Sequence, residues 1–200
     1  MHQLQALRAI VSRITGSDPT SEKIRSILSR IESEASGLLE LAKKPDPLKS
    51  PAANELVVNA EKARLRTLIA ESRGKLTNLV NSFRAADEAA RITKAKLVPD
   101  AFATEIRNVF RSLDTAGKHA FMGEAMKAGD GPTIAAIVTV RPVLSGLSAQ
   151  QSEQYREAFL ESIAPSNRGT ADELQVICDT AIQSAESLAR PLVASQPAAA

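Results

Sequence analysis

From Pro51 to Val98 the chain carries two interleaved series of mainly apolar positions. One is Val58, Leu65, Ser72, Leu79, Ala86 and Thr93; the other is Lys62, Ile69, Leu76, Phe83, Ala90 and Leu97. Each series steps by seven and the offsets between them alternate four and three, so one face of a long helix stays turned towards a partner helix, as in a coiled coil. No proline follows Pro51 within the stretch and Gly74 is its one glycine. At 1.5 Å per residue such a helix is about 70 Å long, more than a compact domain of this size covers. Val58, Leu65, Ile69, Leu76, Leu79 and Phe83 are therefore the expected interaction seam. Lys62 and Ser72 are its polar positions, of the kind that fix register in a helix pair.

The flanking segments repeat the helical period at shorter length. Leu4, Leu7, Ile10, Val11 and Ile14 share one face of a first helix that Gly16 is expected to end in a left-handed conformation. Asp18 and Pro19 form an N-cap and first-turn pair, opening a second helix to about Lys43 with Ile24, Ile27, Leu28, Ile31, Ala35, Leu38 and Ala42 inward. Pro45, Pro47 and Pro51 force a turn there, with Ser50 as the next cap, so the second and central helices are expected to form a long antiparallel hairpin. Val98 and Pro99 end the rod, and Asp100 is expected to cap the next helix.

Beyond Pro99 the periodic segments shorten. Phe102, Ile106, Val109, Phe110 and Leu113 mark one helix, and Phe121, Met122, Ala125 and Met126 a second that stops at Gly129. The run Ile134 to Val140 is continuous and rich in β-branched residues. With no second strand to satisfy its backbone groups, a short buried helix is the more economical reading. Ser148 with Gln151, and Thr170 with Glu173, match capping boxes for two further helices. The expected architecture is all-α: a hairpin region over 1–98 including the short first helix, a small bundle over 99–190, and a flexible tail over 191–200.

Composition agrees with close helix packing, since 44% of the 200 residues are hydrophobic but only 3% aromatic, with no tryptophan. Net charge is only +2, yet residues 1–98 hold 17 Lys/Arg against 11 Asp/Glu and residues 99–200 hold 8 against 12. That asymmetry suggests copies associating head to tail, or a bridge between oppositely charged surfaces. The basic surplus of the central helix offers a nucleic-acid reading through Arg64, Arg73, Lys75, Arg84, Arg91, Lys94 and Lys96. These cations sit on several faces without interleaved aromatics, which favours a solvated exterior. No run is long and apolar enough to span a bilayer, and the acid-free first 17 residues read more economically as a bundle helix than as a membrane-surface segment.

Candidate chemistry is thin. The single cysteine, Cys178, lies beside Ile177, Ala181 and Ile182 at helical spacing and is expected in a core. His2 and His119 are the only histidines, and His119 lacks partners at ligand spacing. Glu153, Glu157 and Glu161 form a carboxylate stripe that could hold a divalent cation but, with no histidine or second acidic helix opposite, reads more economically as an exposed acidic face. Gly129 and Gly131 lack Walker or Rossmann spacing. No cofactor, metal site or catalytic set is expected, and the chain reads as non-enzymatic.

The run Gly129-Asp130-Gly131-Pro132 through Ile134, Val138 and Arg141-Pro142 to Leu144-Ser145-Gly146-Leu147-Ser148 resembles small helical proteins of tailed-phage virions. The resemblance covers about the middle third of the chain and brings no catalytic residue with it. It implies a structural or assembly protein, placed in a virion or the host cytoplasm, that contacts copies of itself or other virion proteins. The alternative is a nucleic-acid-binding accessory protein.

Overall fold

A computed structural model describes residues 2–190. Among them are nine helices and no strand: α1 (His2–Ser12), α2 (Pro19–Lys43), α3 (Pro51–Lys94), α4 (Ala103–Ser112), α5 (Thr115–Ala128), α6 (Gly131–Val138), α7 (Pro142–Ser145), α8 (Ala149–Ile163) and α9 (Arg168–Ala189). The protein is all-α, and 131–138 is the buried helix rather than a strand. The tail expected over 191–200 lies outside the described residues.

The described residues divide into two compact units, one of residues 2–83 with 169–190 and one of residues 84–168. This corrects the division expected at Val98 and Pro99: the proline ends no unit, and α9 belongs with the N-terminal helices. The physical reason is the apolar stripe of α9. Leu174, Ile177, Cys178, Ala181, Ile182 and Ala185 complete the core otherwise built from α1, α2 and α3.

In the first unit these four elements run alternately up and down. Arg8 of α1 donates to Glu32 of α2 at 2.8 Å, and Arg25 holds the turn between them with hydrogen bonds to the carbonyls of Ile14 and Gly16. Gly16 does not end α1, which stops at Ser12. Asp18 caps α2 as expected, accepting from the Thr20 and Ser21 amides. Asn54 pins the turn from α2 to α3, donating to the Asp46 carbonyl while accepting the Asp46 amide. Arg66 and Arg73 of α3 then meet the Ala189 carbonyl and Glu186 of α9. α2 and α3 are thus part of a four-helix core, not a free-standing pair. α9 starts at Arg168, so Thr170 lies inside its first turn instead of capping it, and Glu173 pairs with Arg13 at 3.5 Å.

The heptad pattern holds along α3 only as far as Leu79. Leu65, Ile69, Ser72 and Leu76 are buried, but the next fully buried side chain is Val80, one position off the expected series, while Ala86, Ala90 and Thr93 are exposed. A straight helix drifts about 20° per heptad against a 3.5-residue repeat, so a fixed seven-residue extrapolation leaves the packed face.

The second unit is assembled around α6. Gly131, Ile134, Ala135, Ala136, Ile137 and Val138 are all buried, against Phe110 of α4, Met122 of α5 and Phe159 and Leu160 of α8. Asp130 caps α6 by accepting the Thr133 amide, and Ser148 with Gln151 form the expected capping box of α8. Asp100 accepts the Phe102 amide two residues on, closing a turn, and does not cap α4. Past the end of α3, Lys96 takes a left-handed conformation at φ 48° while the Leu97 amide reaches back to the Ile92 carbonyl at 3.0 Å. Glycine usually fills that position, because a Cβ crowds the following carbonyl there. Lys96→Gly should therefore raise stability by about 1 kcal/mol, measured by urea denaturation. A loss would mean that the lysine stem carries packing worth more than the strain.

Candidate protein-interaction surfaces

Most of the expected interaction seam is occupied by the chain itself. Leu65, Ile69 and Leu76 are each 2% exposed inside the first unit's core, Val58 and Leu79 pack partly buried against it, and Phe83 is half-buried. Near Leu79 the surface opens. There Lys23, Ser26 and Ile27 of α2 and Lys75, Asn78 and Leu79 of α3 line a groove of about 470 Å³. Its floor is aliphatic, and its charged lining groups are both lysines.

The cations expected to touch nucleic acid are dispersed by the fold. Arg64 is held by Glu61 at 2.9 Å and Arg73 by Glu186 at 2.6 Å. Lys75 edges the groove, Arg84 is half-buried, and Lys94 and Lys96 are exposed. Arg91 cannot serve at all: it is 3% exposed and belongs to the interior of the second unit. Its Nε donates to the Ala164 carbonyl at 2.9 Å, and its other nitrogens face Glu161, Glu88 and Glu157 at 3.1, 3.5 and 3.6 Å. Arg156 joins the same cluster through Glu88, Glu153 and Glu157, and Arg168 through Glu157 at 2.9 Å. The stripe Glu153, Glu157, Glu161 is consequently neither a bare acidic face nor a cation cage; it is the counter-charge of three arginines.

Charge asymmetry along the sequence is likewise removed by folding. The acidic helix α9 returns to the basic N-terminal helices, so the first unit holds 14 Lys/Arg against 13 Asp/Glu and the second 11 against 10. Neither unit carries a charge excess that could orient a head-to-tail contact at long range.

A surface that the sequence pattern did not single out lies in the second unit. α7 is a single turn carrying Val143 at 80% exposed and Leu144 at 47%. Arg141 precedes it, and Gly146 closes it at φ 73°. Lys118 and Arg111 converge on that closing turn: a Cβ on Gly146 would lie 3.4 Å from Lys118 Nζ and 3.8 Å from Arg111 Cγ. Lys118 also sits 5.6 Å above the Phe110 ring. Arg107 spends its guanidinium on the Ala136 carbonyl and Thr104. Asp114, close by in sequence, accepts the Gly117 amide at 2.7 Å as the cap of α5. The result is an aliphatic projection beside cations. Its signal in sequence was Val143-Leu144 between Arg-Pro and Ser-Gly, too short to show a period.

The remaining candidates resolve simply. Cys178 is buried, and burial pushes its thiol up to about 11, away from the thiolate needed for reaction. His119 is exposed on α5, its Nδ1 2.5 Å from the Tyr155 hydroxyl of α8. Among the described residues no group of three His, Cys, Asp or Glu is placed to hold a metal ion, and no helix is long and apolar enough to cross a membrane. Comparison with family models, with curated proteins and with solved structures returns no match.

Proposed function

We propose that this protein is a non-enzymatic helical structural or assembly component that works through protein–protein contacts. The observation that carries this reading is the α7 projection, where Val143 and Leu144 stand out of a folded unit beside Arg111, Lys118 and Arg141. Large aliphatic side chains presented on a turn beside cations have the make-up of an interface centre, with charge supplying orientation and the apolar pair sealing the contact. The partner surface is expected to be an apolar depression edged by carboxylates. The virion setting comes from the resemblance of the run from Gly129 to Ser148, which contains the residues that build α6 and α7.

The test is incorporation. Particles assembled in the cells that make the protein should contain it at fixed copy number, and Val143→Asp with Leu144→Asp should lower that number about tenfold or more, with the circular dichroism melt of the purified variant unchanged. Absence from particles, or unaltered incorporation of the variant, would reject the reading.

A nucleic-acid-binding accessory role is favoured by one feature of the same surface, the three cations Arg111, Lys118 and Arg141 beside a backbone turn. In that case duplex DNA should bind with log K falling against log salt at a slope of about −2.7 for three phosphates. The aspartate pair would then act only through added repulsion, and Val143→Ser with Leu144→Ser would change nothing.

A further inference from the structure

We propose that copies of this chain associate through the α2/α3 groove of one and the outer face of α9 of the next. This rests on the protein-contact reading above and names the partner as a second copy. The groove presents Ile27 and Leu79 between Lys23 and Lys75, with no carboxylate in its lining. The helix α9 leans the other way: bounded by Arg168 and Arg190, it carries Asp172, Glu173, Asp179 and Glu186 between them. Its inner face is spent on the core, Glu173 and Glu186 are paired at its flanks with Arg13 and Arg73, and Asp179 is exposed, accepting from the Gln175 side-chain amide. At the middle of its outer face Val176 stands 59% exposed, with Glu173 one turn before it and Asp179 one turn after.

The dimensions agree. Glu173 to Asp179 spans about 9 Å of helix, and the α3 wall of the groove from Lys75 to Ser82 about 10.5 Å. Val176 would seat on Ile27 and Leu79 while Asp179 meets one of the two lysines. Such a contact joins an apolar centre to a complementary charged rim, the arrangement that fixes orientation and suppresses wrong partners.

The two patches are different, so the contact is heterologous and each copy has one of each. They also lie on opposite sides of α3. Arg66, Ala70 and Arg73 edge the depression towards α9, whereas Lys75, Leu79 and Ser82 edge the groove nine residues further on, half a turn round a helix that advances about 100° per residue. One copy can therefore receive a neighbour and be received by another, which produces an open chain or a closed ring.

Light scattering on the size-fractionated full-length chain tests this. The wild type should grow in mass with concentration beyond a dimer. Lys23→Glu with Lys75→Glu, which disables the groove, and Val176→Ser with Asp179→Lys, which disables the α9 face, should each weaken association about tenfold or more while leaving the circular dichroism melt unchanged. The mixture of the two variants is the decisive measurement. The groove-disabled copy still offers a working α9 and the other a working groove, so the mixture should form one-to-one dimers and nothing larger. A wild type that stays monomeric, variants that associate like wild type, or a mixture that fails to dimerise would overturn the proposal. Incorporation into particles through Val143 and Leu144 reads separately. A monomer that still enters particles sinks only the self-docking; a self-associating chain that never enters them sinks only the assembly role.

Discussion

Replacing Gly131 by alanine should destabilise the unit of residues 84–168 by about 3 kcal/mol or more. The first residue of α6 lies directly against the end of α3, and a methyl group there would overlap the carbonyl oxygens of Ala95 and Lys96, the second at 2.6 Å. Both are backbone atoms, so no side chain can swing aside. Either α6 moves outward, opening the packing of Ile134 and Ile137, or the turn at Lys96 is rebuilt. For a unit of this size the cost corresponds to a fall of about 15 °C in Tm, measured by scanning calorimetry. The control is Gly123→Ala in the interior of α5, where nothing lies within 4 Å of the added carbon. That change should stabilise by about 0.5 to 1 kcal/mol, because alanine loses less chain entropy in a helix. If both variants melt alike, the close approach of α6 to the turn at Ala95 and Lys96 is not what holds the unit.

Arg91→Met should cost about 3 kcal/mol, although methionine is the more apolar residue at a buried position. The guanidinium there satisfies the Ala164 carbonyl and faces three carboxylates that would remain after the substitution, with their mutual repulsion relieved only in part by Arg156 and Arg168. Arg91→Lys should recover part of the loss, since an ammonium keeps the charge but cannot fork between the carbonyl and Glu161. Adding Glu161→Gln to Arg91→Met should restore part as well, giving a coupling energy in a double-mutant cycle measured by urea denaturation. Additive effects would show that Arg91 and Glu161 act independently.

Gly131 and Arg91 also mark the reach of local pattern. The helical period and the proline breaks were legible in the sequence: the ends of α2, the cap at Asp18, the box at Ser148 and Gln151, and the burial of 131–138 all come from local chemistry. The face of α3 was legible through Leu79, then lost, because a seven-residue repeat and a 3.6-residue helix diverge with length. Arg91 read as a basic surface residue since its carboxylates on α8 sit about 70 positions away, and no local pattern announces such a pairing. The return of α9 was hidden for a related reason. Its amphipathic stripe specifies that it packs, not on what, so charges counted along the sequence gave a dipole that pairing in space cancels. The α7 surface escaped because a one-turn helix has no period to detect.

The first unit is discontinuous in sequence, and that orders the events of synthesis. A ribosome delivers residues 84–168 as one uninterrupted stretch, so the second unit can close while α9 is still being made. The N-terminal helices have no such freedom. At about 5 to 20 residues per second they wait several seconds for residues 84–168 and a further one to four seconds for α9. During that wait the faces of Leu28, Leu65 and Ile69 lack the stripe that will cover them. The nascent chain thus carries an unclosed apolar cleft until α9 emerges, the stage at which a chaperone, or the same cleft on a neighbouring ribosome's product, has its opportunity to bind.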